Sequence, residues 1–174
     1  MTFPLLSSTY TDPELVTSAN LYTRVLAVIN TLGGFLYGEA EGTTSNTVTL
    51  SSGSTNFLVP TAAVTFTLSQ QRRVRISGGC RIDASGGVAS VGQAQVAYVA
   101  GNTATLSGAT LLGQSGGQET SIAANGIGLV RVEHSVLLAA AQYTAFVAAQ
   151  RATGGSATDV ARAGYVAVYD AGSS

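Results

Sequence analysis

His134 is the one histidine of the chain, so neither a multi-histidine metal site nor a relay between two imidazoles is possible. A Ser–His–Asp triad is open on residue types alone, with many serines and with Asp83, Asp159 and Asp170 as orienting carboxylates. No serine has the strand–turn–helix setting of a nucleophile elbow, however, and "VEHS" sits inside an alternating strand. His134 therefore reads as a strand histidine facing solvent or an interface. Glu39 and Glu41 are close in sequence, but nothing places them across a sugar as paired-carboxylate hydrolysis requires. With no Trp and only five Phe and seven Tyr, a sugar-stacking platform is also hard to build.

Cys80, the lone cysteine, excludes an internal disulfide and a multi-cysteine metal site. It alternates in phase with Val74, Ile76 and Ile82 and reads as a small core residue. All eight basic residues are arginine. The absence of lysine rules out a phosphate-loop lysine, a Schiff base and a Ser–Lys dyad. Arg72, Arg73 and Arg75 form the one basic cluster. On a strand Arg73 and Arg75 share a face that could pair with carboxylates or meet an anionic ligand. "NGIGLV" has Gly-x-Gly without the third glycine or the strand–loop–helix setting. The chain is expected to be no enzyme and to carry no cofactor or metal.

The elements that would position these groups follow two periods. In "TDPELVTSANLYTRVLAVINTLGGFL", Asp12 is a good N-cap, Pro13 suits the first helical position, and Glu14 lies near the positive end of the dipole. Leu15, Ala19, Tyr22, Leu26, Ile29 and Leu36 mark one apolar stripe, with Leu21, Val25, Val28, Leu32 and Phe35 beside it. A helix over about 13–34 is expected, ended or loosened by Gly33–Gly34. So wide an apolar face needs a partner. The partner is the chain's own β-domain, sister helices, or a neighbour into which the helix inserts; the reading taken forward is oligomerisation and attachment through Leu15, Ala19, Tyr22, Leu26, Ile29, Leu32 and Leu36.

After residue 42 the period is two. Strands are expected at Val48–Leu50, "AAVTFTLS", "RRVRISGGCRI", "QAQVAYVAG", Ala104–Leu112, Ile127–Leu138, "QYTAFVAAQ" and "RAGYVAVYD", with Gly-rich turns between them. This pattern predicts a mainly β, antiparallel jelly-roll sandwich over 42–174, preceded by an N-terminal segment over 1–41. The long polar loops Ser85–Val88, Gly113–Thr120 and Thr153–Asp159 are the expected distal contact surface, represented by Ser85, Gly86, Gln114, Gln118, Thr153 and Ser156.

Charged residues make up only 10% of the chain and the net charge is −1. That balance excludes a sequence-independent grip on nucleic acid and suits a surface partly hidden in an assembly. "MTFPLLSSTY" lacks the features of a secretory leader, and the apolar run Val25 to Tyr37 is too short and interrupted to span a membrane.

Two stretches carry a family resemblance. Val16, Thr17, Ala19, Asn20 and Leu21 resemble, with the Leu–Asn pair reversed and a preceding glycine absent, a phrase in the N-terminal segment of small tail proteins and fibres of tailed bacteriophages. Leu138, Ala140, Tyr143 and Val147, followed by a Gly-rich loop and a last apolar strand, resemble the tumour-necrosis-factor/C1q-like jelly roll of phage virion proteins. The resemblance implies a homotrimer in a virion, assembled in the bacterial cytoplasm. Its partners would be other tail or capsid proteins and a host-surface glycan or protein, with no nucleic acid and no membrane insertion. The expected role is a minor tail or tail-tip component that displays the jelly roll for adhesion. A capsid decoration or head-spike protein is one alternative, and a carbohydrate-binding or depolymerase module is another.

Overall fold

The computed structural model describes residues 36–51, 53, 55–113 and 118–172. The expected helix, with Leu15, Ala19, Tyr22, Leu26, Ile29 and Leu32, lies outside the described residues, as does Gln114. Ten strands make up the described chain: β1 Leu36–Glu41, β2 Thr47–Thr49, β3 Phe57–Thr67, β4 Arg72–Asp83, β5 Ser90–Ala100, β6 Thr110–Leu112, β7 Gln118–Ile122, β8 Ile127–Leu138, β9 Gln142–Gly154 and β10 Val160–Asp170. Six residues of the expected N-terminal segment 1–41 thus belong to the sheet. Leu36, counted above in the attachment stripe, opens β1 opposite Tyr169.

Two antiparallel sheets result, with strand orders β1-β10-β4-β8 and β3-β9-β5-β6. β2 also pairs with β10 and β7 with β5, so β1 with β2, and β6 with β7, each form one interrupted strand along an edge. Counted this way, eight strands lie in the orders 1-8-3-6 and 2-7-4-5. Successive strands pass from one sheet to the other, except at the fourth-to-fifth turn. That is the connectivity of a jelly roll. The core lies between the sheets. Val64, Phe66, Val74, Ile76, Ile82, Val96, Val147 and Val168 come from alternating positions of both sheets and are buried, as period-two patterning requires. The sheets approach so closely at Gly78 that an added Cβ would lie 2.8 Å from Val147 and 3.0 Å from Val96, leaving room for no side chain there.

Two expectations shift. The strand expected over Ala104–Leu112 survives only as Thr110–Leu112. Ala109 N–H donates to the Leu106 carbonyl at 3.3 Å and Gly108 adopts φ +74, so a turn replaces its first half. The loop expected over Gly113–Thr120 instead runs into β7, whose Gln118 pairs with Ala94 and whose Ile122 enters the core.

Candidate functional site

The register divides the sandwich into two ends. Leu36, Arg72, Ala100, Leu138, Gln142 and Asp170 mark one; Asp83, Ser90, Ile122, Ile127, Gly154 and Val160 mark the other. The chain therefore enters β1 at one end, and the connections 84–89, 123–126 and 155–159 gather at the opposite one.

At the N-terminal end an aromatic row, Tyr37–Phe66–Tyr143–Tyr98, closes the core with ring centroids 5.6 to 6.0 Å apart. Asp170 is buried between Arg72, at 3.4 Å, and the Tyr37 hydroxyl, which donates to it at 3.4 Å. Burial and the Asp170 charge raise the Tyr37 phenol above its ordinary pKa.

The far end is organised by Asp159, whose side chain is wholly buried. Its Oδ1 accepts the Ser85 N–H at 2.8 Å and the Ser85 hydroxyl at 3.4 Å, fixing the β4–β5 connection to the β9–β10 connection. Ser85 and Thr158 hydroxyls lie 2.7 Å apart, and those of Ser156 and Thr158 lie 2.9 Å apart. Gly86 packs against Ser156, and Gly87 N–H donates to Asn125 Oδ1 at 3.0 Å. Gly155, at φ +72, leaves open a point where a Cβ would crowd Asp159 Oδ2 and lie 2.7 Å from Ser90 Oγ. Both oxygens are buried without a hydrogen-bond partner among the described residues. Beside them an open cleft of about 340 Å³ is lined by Ser90, Val91, Ser121, Ile122, Thr153 and Gly154.

The structure thus brings Ser85, Gly86, Thr153 and Ser156 to one end, opposite the N-terminal entrance. Gln118 stands apart, part-way along the edge of the second sheet. Asn125, which ties Gly87 in place, was not among the contact residues expected from sequence. Asp159 was weighed as a triad carboxylate and as the end of the expected contact loop Thr153–Asp159; its place before a strand, after a Gly–Gly turn, is the signal for a loop-bracing role.

No chemistry-bearing group of the sequence meets a catalytic partner among the described residues. His134 is half-buried in mid-strand, its imidazole against Gly113. The carboxylates that could orient it are engaged elsewhere: Asp83 with Arg81 (Nε to Oδ1 2.6 Å) and Arg162, Asp170 with Arg72, and Asp159 with Ser85. Cys80 is a core residue, and burial pushes its thiol up to about 12, so the thiolate nucleophile is suppressed. Glu39 and Glu41 are exposed on the outer side of β1. Arg75 lies 5.0 Å over the Tyr169 ring and 3.9 Å from Glu133, and shares its face with Arg73. Among the described residues no group of three or more His, Cys, Asp or Glu side chains could hold a metal, and no helix is long and apolar enough to cross a membrane.

No family model matches the chain, and no curated protein does. Among solved structures it is similar to the tumour necrosis factor Eiger from S. frugiperda (TM-score 0.43, 10% identity, covering 78% of this chain and 93% of that one). It is also similar to the globular domain of zebrafish complement 1qA (TM-score 0.42, 6% identity, 78% and 98%). A third is the infectious bursal disease virus Gx strain (TM-score 0.39, 10% identity, 76% and 32%). The jelly-roll assignment stands on the strand order itself.

Proposed function

We propose that this chain is a non-enzymatic structural protein of a bacteriophage virion, a minor tail or tail-tip component. It forms a homotrimer that holds on through its N-terminal segment and presents the jelly roll outward. The observation that carries the reading is the polarity of the domain. The chain joins the sandwich at one end, while Ser85, Gly86, Thr153 and Ser156 gather at the other around a buried carboxylate that braces the loops. A mounted module that touches a surface needs that arrangement, and among the described residues no catalytic acid–base pair is assembled at either end. Three copies of a weak hydroxyl-rich contact site would gain avidity from their shared mounting.

Light scattering on the purified chain should give about three times 17.5 kDa, and a monomer at all concentrations would remove the trimer. Immunogold labelling of intact particles should decorate the tail tip. Labelling over the head would replace this reading with the capsid-decoration one, and no labelling would reject both.

A further inference from the structure

Two sheets have four edges, and one of the four is built differently from the rest. On the first sheet, the β1–β2 edge is interrupted after Glu41 by the turn in which Asn46 N–H donates to the Thr43 carbonyl at 3.1 Å. On the second, β3 carries Pro60 and then Thr61 at φ +63, and its register with β9 shifts between Leu58 and Ala63. The opposite edge is made of β6 and β7, 3 and 5 residues long and not joined. Interruptions, a proline and a bulge keep an edge from taking up a further strand. β8 has none of them. Its 12 residues pair with β4 from Leu138 to Ile127 without a register shift, and no described strand pairs with its other side. Alternate residues of β8 therefore turn their N–H and C=O groups away from β4. The side chains add to the contrast. Of the five large apolar residues exposed among the described residues, three are on β8: Ile127 at 59%, Leu129 at 69% and Leu137 at 41%. They share the outer face with Arg131, Glu133 and Ser135, at steps of two. Arg131 has no ion pair among the described residues, and Glu133 has only the distant Arg75 at 3.9 Å.

We propose that the free side of β8 is a docking edge for an extended segment of another protein, which adds to the first sheet as an antiparallel strand. The row Ile127–Leu129–Arg131–Glu133–Ser135–Leu137 sets the chemistry of that segment. On its matching side it carries an acidic residue opposite Arg131, a basic one opposite Glu133, and apolar ones opposite Ile127 and Leu137. Main-chain hydrogen bonds supply the affinity, and these alternate side chains supply the selectivity. A second copy of β8 meets the same rule: the register that sets Arg131 opposite Glu133 also sets Ile127 opposite Leu137. Antiparallel pairing, however, points the entrance of a second copy toward the opposite end, against a shared mounting. The choice of a foreign strand thus rests on the mounting proposed above, whereas the receptivity of the edge does not.

The self-complementary register supplies a probe of known sequence, a dye-labelled synthetic peptide of residues 127–138, titrated with the full chain. Fluorescence anisotropy should show saturable binding. The peptide carrying Arg131→Glu with Glu133→Arg has the same composition but sets like charges opposite each other twice, and should bind roughly tenfold more weakly. The same exchange in the full chain, at two exposed positions, should reverse that preference. Should the exchanged chain fail to fold, Arg131→Ala with Glu133→Ala in the chain should remove the discrimination between the two peptides. Absence of binding overturns the proposal. Equal binding of both peptides by the native chain overturns it too, as does a preference that survives the changes in the chain. Peptide binding that is lost as the chain associates at rising concentration would assign the edge to a second copy, and overturns both the foreign strand and the shared mounting. A trimer that binds neither peptide fails this proposal alone and leaves the mounting intact.

Discussion

The outer faces of the two sheets are built from different materials. That of β1-β10-β4-β8 carries Glu39, Arg73, Arg75, Arg81, Asp83, Arg131 and Glu133, with Tyr165 and Tyr169 between them, and exposes Leu129 at 69%. That of β9 and β5 carries Gln93, Gln95, Ala97, Thr144, Phe146 and Ala148, all buried. On the first face Arg81 and Arg162 hold Asp83 and Arg75 lies over Tyr169, while Arg162 Nε is buried without a hydrogen-bond partner among the described residues. On the second, Gln150 donates to Gln93, the Thr144 hydroxyl donates to the Gly101 carbonyl at 2.9 Å and lies 3.0 Å from the Thr65 hydroxyl, while Gln95 Oε1 has no partner among the described residues. One sheet is finished as a surface; the other is finished as an interior along β5 and β9 and as a surface along β3 and β7, where Thr65, Thr67, Gln118, Glu119 and Ser121 are exposed. A jelly roll can be sparing with charge where, as along β5 and β9, the outer side of its central strands is not solvated.

The largest expected effect sets the two faces directly against each other. Phe146→Ala should cost about 3–5 kcal/mol, as for a core phenylalanine, whereas Leu129→Ala on the charged face should stay within about 0.5 kcal/mol. Urea unfolding of both variants measures this. Equal and small losses would show that Phe146 is solvated in the folded chain and would erase the contrast.

Much of this was legible in the residues. Seven of the eight expected strands appear close to their expected places, because alternation between a core face and a solvated face is written one residue at a time. "RRVRISGGCRI" is the clearest case: Val74, Ile76, Cys80 and Ile82 go inward, and the arginines go outward. The same rule hid the second buried face. In "QYTAFVAAQ" both phases are apolar, Tyr143–Ala145–Val147 against Phe146–Ala148, and a strand apolar on both sides is one covered on both sides. The broken strand β6–β7 was read badly because "QSGGQE" looks like a plain turn, while its pairing depends on β5, distant in sequence. The loop cluster was legible as polar loops but not as one site. Bringing Ser85 to Asp159 is an outcome of strand order, which local pattern does not encode.

The core between the faces offers a reference that belongs to neither. Burial pushes the Cys80 thiol from its ordinary 9.0 up to about 12, so it keeps its proton in the folded chain. Above pH 9 the unfolded chain loses that proton while the folded chain retains it, so stability is full below pH 9 and falls as pH rises toward 12. From pH 8 to pH 10 the native chain should lose about 1.4 kcal/mol more than Cys80→Ala does. Tyr37, also raised, acts in the same direction in both proteins and cancels in the comparison. Identical pH profiles would mean that the thiol reaches water, and hence that the sheets part at Gly78 and Cys80.

The smallest effect probes whether the charged face is truly free. The Arg75–Glu133 pair is long, at 3.9 Å, and both side chains are about half exposed (44% and 54%). Glu133→Gln should therefore cost no more than about 0.5 kcal/mol at low salt, and the loss should vanish near ~1 M NaCl, where the screening length falls to ~3 Å. Arg75 keeps its place over Tyr169 in either case. A loss above about 1.5 kcal/mol that resists salt would be the signature of a desolvated pair, requiring the first sheet to be covered in solution. In the proposed trimer a second copy is the available cover, so that loss should then grow with protein concentration. A loss that stays small at every concentration leaves the charged face to solvent and directs the subunit contact elsewhere.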